Sequence, residues 1–219
     1  MKIILYRSFF AVFVLLCGCS PLMKGSIDTF KAAVQGVEPL HITEKDIEAV
    51  PYAQIKVTTH SSEGVMAKLR QQGDLQFWVA SGKQVLIIRN GLVERTVGLT
   101  PNLDGTHFDS TSPFKQGLQH ITDGATSTRR IDIYEGQRIG LTVQSRFHRK
   151  GLETVNILNK SYVLQRIDEE IFIPALGFSG TNRFWVRADD GFILQSEQYA
   201  TPETLLRIVN LRPDWEPAR

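Results

Sequence analysis

Ser179 stands in Gly177-Phe178-Ser179-Gly180-Thr181, a near match to the Gly-x-Ser-x-Gly elbow that presents a hydrolase nucleophile. The elbow needs its second glycine two positions after the serine, so that strand and helix can approach, and here Thr181 occupies that position; no strand-to-helix pattern surrounds it. The stretch reads as a glycine-rich turn. Asp189-Asp190 offers two carboxylates, and a glycosidase needs a pair roughly 5 to 10 Å apart across a sugar. These two fall in Ala188-Asp189-Asp190-Gly191, whose residue types favour a tight hairpin turn for local backbone reasons. Asp168-Glu169-Glu170 reads as a solvated strand end, with Arg166 nearby to offset its charge. The five histidines, His41, His60, His107, His120 and His148, show neither the His-x-x-x-His spacing of zinc hydrolases nor a short cluster with acidic partners, so no metal is predicted. No phosphate loop or dinucleotide fingerprint follows a predicted strand. The chain lacks the equipment of an enzyme.

Chemistry of another kind is written at the start of the chain. Lys2 and Arg7 make a short basic head, and Phe9 to Leu16 is an uncharged apolar run. That run is well short of the roughly 20 apolar residues of a membrane-spanning helix and suits a secretory signal. Leu16-Cys17-Gly18-Cys19 then resembles the bacterial lipobox. The resemblance implies cleavage between Gly18 and Cys19, a thioether-linked diacylglycerol on Cys19, and an N-acyl chain on the new terminus. Residues 1–18 are the signal and 19–25 a lipidated tether. Each buried CH₂ contributes about 0.8 kcal/mol, so three chains hold the protein to a bilayer almost irreversibly. Ser20, rather than an aspartate, follows the cysteine, which under the enterobacterial sorting rule implies the outer membrane.

Removing the signal changes what the composition says. The whole chain has 25 Lys and Arg against 23 Asp and Glu, and loss of Lys2 and Arg7 brings the two counts level. A near-neutral protein exerts no bulk pull on nucleic acid or on an anionic membrane. With Cys17 removed and Cys19 acylated, disulfides and thiolate chemistry are excluded together. Arg146-Phe147-His148-Arg149-Lys150 is the most basic stretch, and reads either as a solvated hairpin tip or as a contact for an acidic polymer or partner.

The elements that position these residues follow from periodicity. Ser26 caps a predicted helix whose stripe Ile27, Phe30, Val34, Val37 ends at Pro39, and Thr43 with Asp46 forms a capping box for a second, short one. From Tyr52 the period becomes two. Ala53 to Thr59 and Leu75 to Val79 alternate, and Val85–Arg89, Asn90-Gly91 and Leu92–Val97 form the clearest hairpin, because Asn-Gly takes the two positive φ values of a type I′ turn. Further strands are predicted over Arg130–Tyr134, Arg138–Phe147, Glu153–Leu158, Tyr162–Ile173, Arg183–Arg187, Phe192–Gln198 and Leu205–Leu211. Between Pro101 and Ser127 the alternation dissolves, and Pro113 to His120 is the place for a hidden helix. The expected fold is a β-rich α+β domain over 26–219: an antiparallel meander sheet, with a strongly curved or incomplete barrel as one form of it, and short N-terminal helices.

Three stretches together resemble a known family. They are Pro51-Tyr52-Ala53-Gln54-Ile55; Trp78-Val79-Ala80 leading to Arg89-Asn90-Gly91, Thr96-Val97-Gly98-Leu99 and Asn102-Leu103; and Asn182-Arg183-Phe184-Trp185-Val186 leading to Gly191 and Ser196-Glu197-Gln198-Tyr199. With the lipobox, they are similar to the YjbF/GfcB (YmcC) family of outer-membrane lipoproteins. The resemblance implies a periplasm-facing, non-enzymatic accessory in capsule or exopolysaccharide secretion, whose partners are the outer membrane, through its lipid anchor, and the polysaccharide or its export proteins. It implies no cofactor beyond the acyl chains, and no nucleic acid. Trp78, Phe184, Trp185 and Tyr199 are the candidate contacts, and sugar binding requires at least one of those rings to lie exposed in a groove. The alternative is a lipid or lipoprotein carrier, in which a curved sheet encloses an apolar cavity.

Overall fold

The computed structural model describes residues 40–108 and 110–213. Cys19, the signal, the tether and the helix expected over Ile27–Val37 lie outside the described residues.

Chain order in the described part begins with helix α1 (Glu44–Glu48) and strands β1 (Gln54–Thr58), β2 (Glu63–Gln72), β3 (Leu75–Val79), β4 (Val85–Arg89), β5 (Leu92–Val97) and β6 (Leu103–His107). It continues with helix α2 (Pro113–Gln116), a 3₁₀ turn (Leu118–His120), β7 (Thr126–Ile133), β8 (Arg138–Ile157), β9 (Lys160–Ile173), a 3₁₀ turn (Pro174–Leu176), β10 (Phe178–Val186), β11 (Ile193–Thr201) and β12 (Thr204–Arg212). All twelve strands join one antiparallel sheet in the order β5-β4-β3-β2-β1-β12-β11-β10-β9-β8-β7-β6. Only one step breaks sequence order: β1 pairs β12, so the last strand closes onto the first. The ends of the ladder, β5 and β6, lie side by side and are joined by side chains. Leu103 N–H donates to Thr96 Oγ at 2.9 Å, and the Thr106 hydroxyl donates to the Val93 carbonyl at 3.3 Å. The result is a nearly closed, barrel-like sheet, a form that leaves little strand edge exposed.

Three apolar clusters follow from the two-residue period of the strands. Ile55, Met66, Trp78, Leu86, Ile88, Val93, Leu103, Ile131, Val143, Ile171 and Leu206 come from strands all round the sheet and form one continuous cluster, the packed interior. Phe147, Ile167, Phe184 and Val186 extend it at one end, where Phe114, Leu118 and Ile121 of the β6–β7 connection cover them. On the other face of β8 to β12, Ile157, Leu164, Trp185, Leu194 and Leu211 pack with Ile47 of α1. A large apolar side chain buried this fully contributes about 1.5–3 kcal/mol.

Local chemistry explains the elements. Thr43 caps α1 with the reciprocal Asp46 contacts expected of a capping box. Asn90 (φ 49°) and Gly91 (φ 80°) turn β4 into β5 as their sequence predicts. The 101–127 segment holds the hidden helix, α2 with its adjoining 3₁₀ turn, and also β6, whose Asp104-Gly105-Thr106 carries no strand signal. β2 is likewise unpredicted; it is mostly half-buried or exposed, and polar on both faces toward its end. Arg149-Lys150-Gly151 does not separate two strands. It is a bulge within the 20-residue β8, where the register steps from Arg149↔Ile167 to Leu152↔Gln165. The basic stretch Arg146–Lys150 is therefore mid-sheet, not a hairpin tip.

Candidate functional site: the two mouths and the polar belt of the barrel

In an antiparallel meander, alternate turns fall at opposite ends, so each end of the barrel is ringed by its own set of loops. At one end the β2–β3, β4–β5 and β10–β11 turns and the α2 segment enclose a cavity of about 460 Å³. Its rim is polar, with Gln76, Asn90 and Gln116, and its floor is Ile55, Trp78, Ile88 and Ile208. At the other end the β1–β2, β3–β4, β5–β6 and β11–β12 connections surround a larger cavity of about 730 Å³, lined by Val57, Val65, Met66, Leu86, Leu99 and Leu206, with His60, Ser62 and Glu63 at its edge. Trp78 and Leu86 pair across β3 and β4 and separate the two.

Within the barrel, a belt of buried polar groups lies beside the apolar layers. Glu169 of β9 has no exposed side-chain surface and Arg129 of β7 is 7% exposed, and the two form an ion pair. Ser145 on the intervening β8 accepts from Arg129 at 3.0 Å and donates to Glu169 at 2.6 Å. Asn182 donates to the other Glu169 oxygen at 2.8 Å and accepts from the Tyr199 backbone N–H at 2.8 Å. Every Glu169 oxygen is thus engaged, as a buried carboxylate requires. The solvated strand end expected at Asp168-Glu169-Glu170 is instead mid-strand: Glu169 points to the core and finds its cation on β7, 40 residues away in sequence. Asp168, on the opposite face, does pair with Arg166 as expected, at 2.7 Å.

The four aromatic candidates are placed apart. Phe184 is fully buried and meets Phe114 edge to face at 5.3 Å. Trp185, 7% exposed on the other face, donates its indole N–H to Glu153 at 2.6 Å under the Arg166 guanidinium. That hydrogen bond, followed by Arg166, holds the Glu153 carboxyl below its ordinary range. Trp78 is 3% exposed at the floor of the polar cavity. Only Tyr199 keeps part of its ring at the surface, edge-on to Phe178 at 5.1 Å. The first three rings are core because each faces one of the apolar clusters. None offers an open stacking platform.

Nor does the geometry assemble a catalytic group from the other candidates. Ser179 is exposed within β10, paired in the ladder with Phe172. The glycine-rich turn expected over Gly177–Thr181 is confined to Gly177, in the left-handed region after the 3₁₀ turn, and Phe178 to Thr181 are already strand β10. Asp189 and Asp190 form the expected β10–β11 turn and both face Arg187, whose guanidinium, followed by the Phe192 N–H, lowers the Asp190 pKa. Cross-strand neighbours give two histidines acidic partners that spacing along the chain does not show. His107 lies 2.8 Å from Asp132, and His148 lies 3.3 Å from Glu170. Among the described residues no group of three or more His, Cys, Asp or Glu side chains is placed to hold a metal ion.

A near-closed antiparallel sheet with two open mouths and a buried ionic belt defines the class of the protein: a mostly-β, barrel-like domain built on one twelve-stranded sheet. The chain belongs to the family described as group 4 capsule polysaccharide lipoprotein GfcB, YjbF, whose model matches residues 27–210. It is 28% identical over 196 residues to the lipoprotein GfcB of Escherichia coli K12, covering 89% of this chain and 90% of that one. It is 27% identical over 188 residues to the lipoprotein YjbF of the same organism, covering 85% and 87%. The crystal structure of the lipoprotein YmcC from Escherichia coli K12 shares the fold, with a TM-score of 0.72 at 24% identity, over 85% of this chain and 95% of that one. No helix among the described residues is long and apolar enough to cross a membrane.

Proposed function

We propose that the protein is an outer-membrane-anchored lipoprotein that acts, without catalysing a reaction, in the secretion or assembly of an extracellular polysaccharide. Acyl chains on Cys19 tether it, the barrel faces the periplasm, and its partner is the polymer or an export protein. The observation that carries this reading is membership of a capsule polysaccharide lipoprotein family across nearly the whole barrel. The lipobox at Leu16–Cys19 and the near-neutral mature charge support it. The test is extracellular polysaccharide from a strain lacking the gene, complemented with wild type or with Cys19→Ala. Loss of polymer, restored only by the acylated form, is the expected result. Unchanged polymer under conditions where it is normally made overturns the reading.

The 730 Å³ apolar mouth favours a second reading, a carrier of lipid or of another lipoprotein's acyl chains. Its volume lies within the ~300–1,000 Å³ of small-molecule sites. Mass spectrometry of a solvent extract of the purified protein decides it: a stoichiometric lipid, distinct from the protein's own acyl chains, supports the carrier, and none removes it.

A further inference from the structure

Trp78 carries a cost that packing does not explain. Its ring is buried at the floor of the polar cavity, and its indole N–H is enclosed with no hydrogen-bond partner. A buried donor left unpaired costs about 1–3 kcal/mol, and a buried tryptophan N–H usually finds an acceptor. Trp185 shows the usual arrangement in this same protein, donating to Glu153. At the lip of the cavity, the side-chain oxygen of Gln119 is likewise buried and unpartnered. Both atoms are enclosed, and Gln119 Oε1 packs against Gly117 and Gly191, so a ligand in the cavity completes them once the lining side chains shift to admit it.

The groups between them say what enters. The amides of Gln76, Asn90 and Gln116 place donors and acceptors side by side. The two carboxylates of the lining are already neutralised, Asp74 by Arg89 at 3.2 Å and Asp190 by Arg187. Lys115, the one cation of the lining among the described residues, lies 5.5 Å over the Phe108 ring, and the rest of the rim is uncharged amide. Such a rim suits vicinal hydroxyls, each of which donates and accepts at once. Ile55, Ile88 and Phe192 supply apolar wall for the C–H face of a ring, and about 460 Å³ is room for a short oligosaccharide, not for a folded partner.

We infer that this mouth binds a short uncharged saccharide segment, with the Trp78 N–H donating to a sugar oxygen at the floor and Gln119 accepting from a hydroxyl at the lip. The choice of a saccharide rests on the polysaccharide reading above; the cavity and its unpartnered atoms stand apart from it. The ring of Trp78 does not stack on the sugar, because it is core. Recognition is through its edge.

The test is isothermal titration of the acylated protein, in a detergent without a sugar head group, with cello-, malto-, isomalto- and galacto-hexaose. Wild type binds at least one of them saturably. Trp78→Phe keeps an aromatic ring but removes the donor, and weakens binding roughly tenfold, the worth of one hydrogen bond. Gln119→Leu, on the half-exposed lip, weakens it similarly while the unfolding midpoint stays near that of wild type, and Trp185→Phe does not weaken it. Absence of saturable binding to every hexaose in the millimolar range overturns the inference, and so does binding that both Trp78→Phe and Gln119→Leu leave unchanged. If deletion of the gene abolishes polymer but no hexaose binds, the saccharide site fails and the secretion role stands. If a hexaose binds through Trp78 and deletion leaves polymer unchanged, the site stands and the secretion role fails.

Discussion

Arg129 on β7 and Glu169 on β9 meet across Ser145 of the strand between them, and both are buried. Removing charges from water is expensive, and the attraction between them offsets that cost only when the remaining polar atoms are also paired. Here Ser145 and Asn182 supply those partners. Arg129→Met strands a buried carboxylate and is expected to cost about 3–5 kcal/mol. The double change Arg129→Met with Glu169→Gln removes both charges and recovers most of that loss. Urea unfolding of the three proteins checks this. A single variant as stable as wild type contradicts the role of the pair.

Gln198 closes the barrel across its interior. It lies on β11, 1% exposed, and accepts from the Val93 N–H of β5 at 3.0 Å while donating to the Gly91 carbonyl at 2.7 Å. β5 is an end of the ladder, so these bonds replace some that a neighbouring strand would make. Gln198→Met keeps the length of the side chain and leaves both backbone groups unmatched. The expected loss is about 1–3 kcal/mol for a buried group left unpaired. Amide exchange locates it: the Val93 N–H exchanges much faster in the variant while amides of β9 and β10 keep their ranking. Unaltered protection at Val93 is the contrary result.

Much of this architecture is legible in the sequence where one physical signal dominates. Asn90-Gly91 and the Thr43–Asp46 capping box are local, and both sit where their residue types place them. The alternating strands β3 and β4 each present an apolar face to one cluster, so their period is clear. β2 and β6 fail to show because their pairing comes from neighbours and not from their own composition. Glu169 was unreadable for the same reason: a carboxylate in a run of three acids has every local sign of a solvated end, and only the register with β7, β8 and β10 supplies its partners. The Arg149–Gly151 bulge has the residues of a turn and uses them to bend β8. The polar mouth was equally hidden, since its lining joins turns from distant parts of the chain.

Gly91 is required twice over. Its φ of 80° lies in the left-handed region, and a Cβ there would stand 2.2 Å from Cδ1 of Ile193. The backbone penalty for a residue with a Cβ is roughly 1–2 kcal/mol, and the Ile193 side chain must also move. Gly91→Ala is therefore expected to lower stability by about 2 kcal/mol, measured by thermal or urea unfolding. Combining it with Ile193→Val, which shortens the obstructing arm, recovers the steric part and leaves the backbone part. A double variant no better than Gly91→Ala alone assigns the whole effect to φ.

Acid should expose the contribution of the outer face. Glu153 accepts from the Trp185 indole and lies beside Arg166, and these hold its carboxyl below the ordinary value in the folded protein. Asp190, facing Arg187, is lowered in the same way. A carboxyl whose folded pKa lies below its unfolded value adds stability that is fully present above the unfolded value and is lost as pH falls through the folded one. The melting temperature should thus be insensitive to these groups near neutrality and decline as pH drops below about 4, the unfolded range for carboxyls. Glu153 is partly solvent-exposed, so screening keeps its share modest. Its titration can be followed directly through the ¹⁵N–¹H resonance of the Trp185 indole. That resonance should move with a midpoint below the ordinary glutamate value, and Glu153→Gln should abolish the transition and flatten part of the acid limb of the melting curve. A midpoint at or above the ordinary value would mean that the indole and the guanidinium do not stabilise the carboxylate.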